Sequence, residues 1–574
     1  MKKNKGSLVT GLYTTIISIF FLITFFLFSS TLIQVFKANA ASVATSVTVG
    51  NGAPSFTVQP YEDPASSTTT PTNVGSNVTF KATASEPNSE DYYLIICSTD
   101  SATATESGAP TCGATQWCVS SATTAGTQST CSRTAVIGDA ESNAWYAFVC
   151  DGNANNAQCS ASSQGTGDSG SPFEVNHAPG FTLAGITDST VDPGVGAVWT
   201  TTASDTDTSG TADTVKLLVC KTAGITDGAC DGGGTDTWCS SSLVASNPTC
   251  TYTVPSVAPD TDNIAAYVYI VDSHNFPATG AYQGSNVSFS INNVAPTVSA
   301  VTINGGAAID LTESSTKAVS LTATVTDNNS CYGTELTTIY GYAYRSSVAY
   351  TGCDTSGEAN ANYCYPEVTC TVDGGTCTDN TDASANYTCT VNIQYYADPT
   401  DIATQYPDDT WLSTIKAVDD DTASNYTTVG AGVEMNSLTA ASITNGIAYG
   451  SLAVGESNDP LNQITTTTPT GNVGLDQEVS GSANMCTDYP TCAVGTPIGV
   501  AYQKYALASL TAYSSGVALS TSAVETELNV AKPTTGTPTT KDTWWGILIP
   551  SGTISGTYSG ANTLTAVKGE IVSW

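Results

Sequence analysis

Three features of this 574-residue chain predict an all-β protein of β-sandwiches in series. First, an Asn-x-Ala-Pro tetrapeptide occurs at Asn51–Pro54 and Asn176–Pro179, and recurs with an extra asparagine in Asn292-Asn293-Val294-Ala295-Pro296. Each copy opens a stretch with one order of events: a β-like run, cysteines, then a second β-like run ending at an aspartate. A repeat of roughly 115–125 residues is the size of one sandwich domain. Second, the apolar residues alternate with period two and form no sustained helical stripe. Third, the 18 cysteines divide into six, four, six and two along the chain, and even counts favour disulfides closed within each unit.

The N-terminal stretch, residues 1–40, reads as an export signal. Lys2, Lys3 and Lys5 precede an apolar run from about Thr14 to Phe36, and Ala38-Asn39-Ala40 follows as an A-x-A cleavage pattern. Left uncut, the run is long enough to anchor the chain in a membrane. Either way the remainder is expected outside the cytoplasm, because the positive end stays inside.

The first segment, 53–178, carries strand-like runs at Asn77–Ser85, Asp91–Thr99 and Ala144–Asp151. The second, 179–295, has matching runs at Thr214–Thr222 and Ile264–Asp272. The third, 296–437, offers Ala318–Asp327, Thr338–Ser347, Tyr387–Ala397 and Trp411–Asp419. All are rich in Val, Ile, Thr and Tyr and are separated by Gly, Pro, Asn, Asp and Ser. The fourth segment, 438–574, keeps strand-like runs and Gly-rich turns but lacks both the Asn-x-Ala-Pro opening and the Trp-Cys pair of the first two segments, Trp117-Cys118 and Trp238-Cys239. It is expected to be a sandwich of a divergent kind. Linkers are short, which favours a semi-rigid rod.

In its unit size, its Asn-x-Ala-Pro starts and its strands ending in Val-Asp or Cys-Asp, the chain resembles tandem immunoglobulin-like or fibronectin-III-like domains of prokaryotic cell-surface proteins, such as surface-layer subunits and adhesin stalks. The resemblance covers 53–437 and extends only weakly to 438–574. It implies a non-enzymatic structural role at the cell surface. It departs from antibody domains in that Trp117 and Trp238 stand directly beside a cysteine. The cysteines are therefore expected to be peripheral staples rather than pins between sheets.

Charge excludes one class of partner. Fifteen basic residues face 50 acidic ones, a net −35, and loss of residues 1–40 would leave 11 basic groups and a net −39. Such a chain repels phosphate backbones, so nucleic acid is excluded as a partner, and membrane contact is expected only through an uncleaved N-terminal segment.

Setting the repeats against each other gives a disulfide scheme. Trp-Tyr-Ala-Phe-Val-Cys-Asp, ending at Asp151, matches Tyr-Val-Tyr-Ile-Val-Asp, ending at Asp272, so the second segment lacks the counterparts of Cys150 and Cys159 together. Joint absence points to one bond, Cys150–Cys159. The remaining cysteines are expected as Cys97–Cys112, Cys118–Cys131, Cys220–Cys230 and Cys239–Cys250. Tyr-Thr-Cys389 resembles Pro-Thr-Cys250 and leads to Cys364–Cys389, leaving Cys331–Cys353 and Cys370–Cys377, with Cys486–Cys492 last. Disulfides suit an exported chain.

Catalytic signatures are missing. There is no G-x-S-x-G, HExxH, phosphate loop or C-x-x-C, and the only histidines, His177 and His274, lie in different segments. Asp272-Ser273-His274 are adjacent and cannot form a triad together. No catalytic residue and no obligatory cofactor is expected. Structural calcium is the one ligand the residues support: Asp205, Asp207, Asp272, Asp327, Asp419, Asp420 and Asp421 sit in oxygen-rich loops or at equivalent strand ends, where hard cations find converging carboxylates. The plainer account is that these are solvated turn residues. Asn-x-Ser/Thr acceptor sites occur at Asn77, Asn286, Asn328, Asn386 and Asn425.

The function expected is that of an extracellular structural protein that self-associates or contacts other surface proteins and glycans. The alternative is an adhesin binding carbohydrate or protein through exposed aromatics such as Tyr340, Tyr342, Tyr344, Trp544 and Trp545. A secreted hydrolase ranks below both, for want of histidines.

Overall fold

A computed structural model describes residues 45–208, 212–353, 359–444 and 446–574. The expected export segment lies outside these residues. Among the described residues the chain forms β-strands and short 3-10 turns, with no α-helix. Every sheet draws its strands from a single segment, so the fold is a series of immunoglobulin-like sandwiches.

In the first sandwich one sheet holds Ser55–Glu62, Asn77–Ser85 and Gln128–Thr134, and the facing sheet holds Tyr146–Asp151, Asp91–Cys97 and Gln116–Val119. The second repeats this with Gly180–Ile186, Gly196–Ser204 and Thr249–Thr253 facing Thr237–Ser240, Val215–Cys220 and Tyr267–Asp272. Both also pair a short early strand in parallel with the last one, Thr72–Asn73 with Phe173–Asn176 and Thr190–Val191 with Phe289–Ile291. The third packs a sheet containing Thr316–Thr326 and Ser384–Gln394 against one containing Leu336–Arg345 and Trp411–Asp419. The fourth sets Gln463–Pro469 and Lys541–Ile547 in one sheet, and Leu475–Gly481, Val524–Val530 and Asn562–Lys568 in the other.

Alternation explains the cores. In Asn77–Ser85, Val78, Phe80, Ala82 and Ala84 point inward and are buried while their neighbours are not. Each sandwich also encloses one tryptophan with no exposed surface, Trp145, Trp199, Trp411 or Trp545. Trp145 needs a partner for its indole N–H and finds Glu62 Oε1 at 2.9 Å.

All 18 cysteines are bonded. Cys97–Cys112, Cys118–Cys131, Cys150–Cys159, Cys220–Cys230, Cys239–Cys250 and Cys486–Cys492 pair as the repeat comparison anticipates. The expectation of purely peripheral staples fails for two of these. Cys118–Cys131 and Cys239–Cys250 each join strands of opposite sheets and lie in the main cores. The tryptophan beside each cysteine packs against the same core, Trp117 edge-on to Phe173 and Trp238 edge-on to Phe289.

The third sandwich departs from the expected scheme. Cys331–Cys353, Cys364–Cys389 and Cys370–Cys377 do not form; the bonds are Cys331–Cys377, Cys353–Cys364 and Cys370–Cys389. Cys389 does occupy the place of Cys250, since it pairs across from Leu321 as Cys250 does from Trp199. The error lies in its partner. Cys364 and Cys370 are six residues apart and would share a face in a regular strand, but a bulge opposite Gly341–Ala343 inserts one residue and flips the parity. Cys370 therefore faces the main core while Cys364 faces the outer tyrosine cluster beside Cys353. Gly341 makes room for the inter-sheet bond: a Cβ there would stand 2.7 Å from Cys389 Sγ.

Candidate functional site: the carboxylate poles

The pole at which each of the first three sandwiches begins gathers the same side chains. The Asn of Asn-x-Ala-Pro donates from Nδ2 to the strand-ending aspartate of the sandwich it introduces: Asn51 to Asp151 at 2.9 Å, Asn176 to Asp272 at 2.8 Å, Asn293 to Asp419 at 3.1 Å. The next residue's N–H donates to a side chain just beyond Asn77–Ser85, Gly196–Ser204 or Thr316–Thr326: Gly52 to Asn88, His177 to Asp207, Val294 to Asn329. Two residues before each of those acceptors stands an acid, Glu86, Asp205 or Asp327, which accepts the acceptor residue's own N–H at 2.8–3.0 Å. This local turn is the one Asp, Asn and Glu side chains favour after a strand. A further acid, Glu90, Asp213 or Glu335, precedes the next strand.

These acids converge. One carboxylate oxygen each from Glu86, Glu90 and Asp151 lie within 4.8 Å of one another, as do those of Asp205, Asp207 and Asp213 and those of Asp260, Glu335 and Asp420. The last group spans two sandwiches, because Asp260 belongs to the second. Crowding shows in the electrostatics. Burial, then the charges of Asp420, Asp260, Asp327 and Asp419, push Glu335 up to about 8. Burial raises Asp205 and Asp327 to about 6, and raises Glu86 and Asp272 as well.

The poles of the second, third and fourth sandwiches also receive the preceding sandwich: Thr208 N donates to Glu141 Oε2 at 2.7 Å, Asn329 Nδ2 donates to Ala258 O at 3.2 Å, and Asn472 Nδ2 donates to Ala397 O at 3.1 Å. Asn472 identifies the fourth sandwich as a variant of the same design, for Leu438 N donates to Asn472 Oδ1 at 2.6 Å as Val294 N does to Asn329 Oδ1. The rest of that pole is changed. Thr470 stands where the others carry Glu86, Asp205 or Asp327, and Lys568, opposite Leu475, stands where Asp151 is opposite Tyr92. Lys568 Nζ donates to Ser437 Oγ at 3.0 Å, replacing the asparagine–aspartate contact.

Of the residues anticipated from sequence, Asp205 and Asp207 join one group and Asp420 another. Asp272 and Asp419 are held by Asn176 and Asn293, Asp327 lies beside Glu335, and Asp421 is exposed and belongs to none of the three groups. Glu86, Glu90, Asp213, Asp260 and Glu335 escape the sequence reading. An alignment on Glu86-Pro87-Asn88, Asp205-Thr206-Asp207, Asp327-Asn328-Asn329 and Thr470-Gly471-Asn472 would have found the first position.

Both histidines face carboxylates. His177 Nδ1 lies 3.0 Å from Asp207 and His274 Nε2 3.3 Å from Asp213, while Ser273 Oγ donates to Asp213. Of the aromatics offered as a binding face, Trp545, Tyr342 and Tyr344 are buried, and Trp544 and Tyr340 are half-buried. All five glycosylation-type asparagines, Asn77, Asn286, Asn328, Asn386 and Asn425, are exposed.

No family model and no curated protein matches the chain. Among solved structures it is similar to a marsupial T cell receptor (9% identity, 63% of this chain and 98% of that one, TM-score 0.23). It is also similar to the Escherichia coli adhesin FdeC (13%, 68% and 99%, TM-score 0.18) and to the I9–I11 tandem of titin (8%, 64% and 94%, TM-score 0.20). None superposes closely enough to carry an argument about function.

Proposed function

We propose that the chain is a non-enzymatic, extracellular structural protein whose segments 53–178, 179–295, 296–437 and 438–574 act as domains of a surface stalk or surface-layer subunit. The observation that carries this reading is the repeated docking of each sandwich onto the next through buried side chains. Asn329 is fully buried and bonds to Ala258 O, to Asn292 O and to Val294 N. Asn472 is equally buried and makes the same three kinds of contact with Ala397 O, Asn436 O and Leu438 N. Joints of this kind resist bending, because tilting one sandwich away would strand several buried polar groups.

Nine disulfides support an oxidising, exported setting, and they stiffen units whose cores are rich in small residues. The acidic surface keeps neighbouring copies apart unless a counterion bridges them. Small-angle scattering of the full chain is the test: an extended profile with a single cross-section is expected, and a compact globular profile would overturn the stalk. Immunogold labelling of intact cells then locates the protein; labelling confined to the cytoplasm would sink the surface assignment.

A further inference from the structure

Buried oxygens without hydrogen-bond partners recur at the same positions in the first three sandwiches. One is the amide oxygen of the opening asparagine: Asn51 Oδ1, Asn176 Oδ1, Asn293 Oδ1. Another belongs to the acid directly after Asn77–Ser85, Gly196–Ser204 or Thr316–Thr326: Glu86 Oε2, Asp205 Oδ2, Asp327 Oδ2. The first and third poles add Glu90 Oε2 and Glu335 Oε1. Several of these side chains are almost wholly inside the protein, with Asn176 and Asp327 at 1% exposure, Glu86 at 6% and Glu335 at 7%. A buried acceptor left unpaired costs about 1–3 kcal/mol, more when charged, so three poles repeating the same unpaired acceptors point to a missing common partner.

We propose that the opening pole of each of the first three sandwiches binds one hard divalent cation of the calcium class, held by the asparagine amide oxygen and the converging carboxylates. Ligand atoms around calcium sit about 2.3–2.6 Å from the ion, so opposite ligands are at most about 5 Å apart. The carboxylate oxygens of Glu86, Glu90 and Asp151, of Asp205, Asp207 and Asp213, and of Asp260, Glu335 and Asp420 lie within 4.8 Å of one another in each set and meet that limit. The donors are oxygens from several acids and an amide, a set that suits calcium over softer metals, which seek thiolate or imidazole, and over magnesium, which keeps most of its waters.

The fourth sandwich is the internal control. It keeps the docking asparagine, Asn472, but replaces one acid with Thr470 and the strand-end aspartate with Lys568, whose ammonium supplies a tethered positive charge at the pole. Where the chain brings its own cation, the orphaned asparagine and carboxylate oxygens of the other poles disappear from the equivalent positions, Ser437 and Thr470. That sandwich has one buried carboxylate oxygen without a partner, Asp476 Oδ2, but Asp476 groups with the exposed Glu525 and Glu570 at positions the other poles do not use, and it is not included.

The inference deepens the stalk reading and relies on it only for the consequence that ions stiffen the joints. Calorimetric titration of the full, chelator-stripped chain with calcium tests it. Dissociation constants on the order of 10⁻⁴ M are expected for extracellular sites. Glu86→Gln, Asp205→Asn and Glu335→Gln should each remove one bound equivalent, whereas Lys568→Met should remove none. If Glu86→Gln does not fold, Glu90→Gln, at a half-buried position, takes its place. A folded parent that binds no calcium at millimolar concentration, or three variants that bind as many ions as the parent, overturns the proposal. Either result leaves the scattering test of the stalk untouched, and a compact scattering profile would leave the ion count untouched.

Discussion

Lys532 Nζ lies 3.0 Å from Asp398 Oδ1, so an ammonium of the fourth sandwich is seated on an acid of the third. Both side chains are almost fully buried, and the ammonium also donates to Asn362 Oδ1 and Tyr396 O at 3.1 and 2.8 Å. Arg345 Nε, 3.4 Å from Asp398 Oδ2, supplies a second positive charge. This joint is closed by the protein's own cations, in contrast to the acid-lined poles of the other three sandwiches.

Lys532→Met should therefore loosen this joint specifically. Removing one partner of a buried pair usually costs about 3–5 kcal/mol, and Arg345 should hold the loss nearer the lower figure. Differential scanning calorimetry should show the transitions of the third and fourth sandwiches separating and moving down. Unchanged transitions would mean that the contact contributes nothing to docking.

Asn329→Ala removes the side chain that ties Ala258 O, Asn292 O and Val294 N together. Three lost bonds, with their partners left buried, should cost about 2–4 kcal/mol. The effect should appear as faster limited proteolysis near 292–296, with the disulfide pattern intact. Equal cleavage rates in parent and variant would contradict the docking role.

Glu62 makes the first sandwich pH-sensitive. Burial raises its carboxyl from 4.5 to about 7, despite bonds from Ser66 and Trp145. Between these values the folded state binds more protons than the unfolded one, so stability falls as pH rises. The contribution is fully present below pH 4.5 and is lost by about pH 7, and it amounts to at most about 3 kcal/mol. Glu62→Gln should flatten the melting profile of this sandwich between those pH values. A variant as pH-dependent as the parent would assign the titration elsewhere.

The third sandwich's disulfides can be read directly. Non-reducing peptide mapping should recover Cys331 with Cys377, Cys353 with Cys364 and Cys370 with Cys389. Loop entropy ranks the bonds: replacing Cys331–Cys377, which closes 46 residues, should cost about 4 kcal/mol, against about 2 kcal/mol for Cys486–Cys492, which closes six. Recovery of Cys364 with Cys389 would refute the bulge that separates Cys364 from Cys370.

Local order determined much of this protein from sequence alone. Period-two alternation marks Asn77–Ser85 and Trp411–Asp419 to the residue, because inward and outward side chains meet different solvents within each strand. Cys150–Cys159 follows from two cysteines missing together in the next repeat. What depends on register or on distant chain is settled only by tertiary structure. One bulged residue decides whether Cys364 or Cys370 meets Cys389, and no local propensity records it. The pole acids divide the same way. Asp272 and Asp419 end recognisable strands, whereas Glu86, Glu90 and Asp260 acquire meaning only where packing brings carboxylates separated by tens of residues within 4.8 Å of one another. Strand periodicity is encoded between neighbours; convergence of charge is a property of the assembled pole.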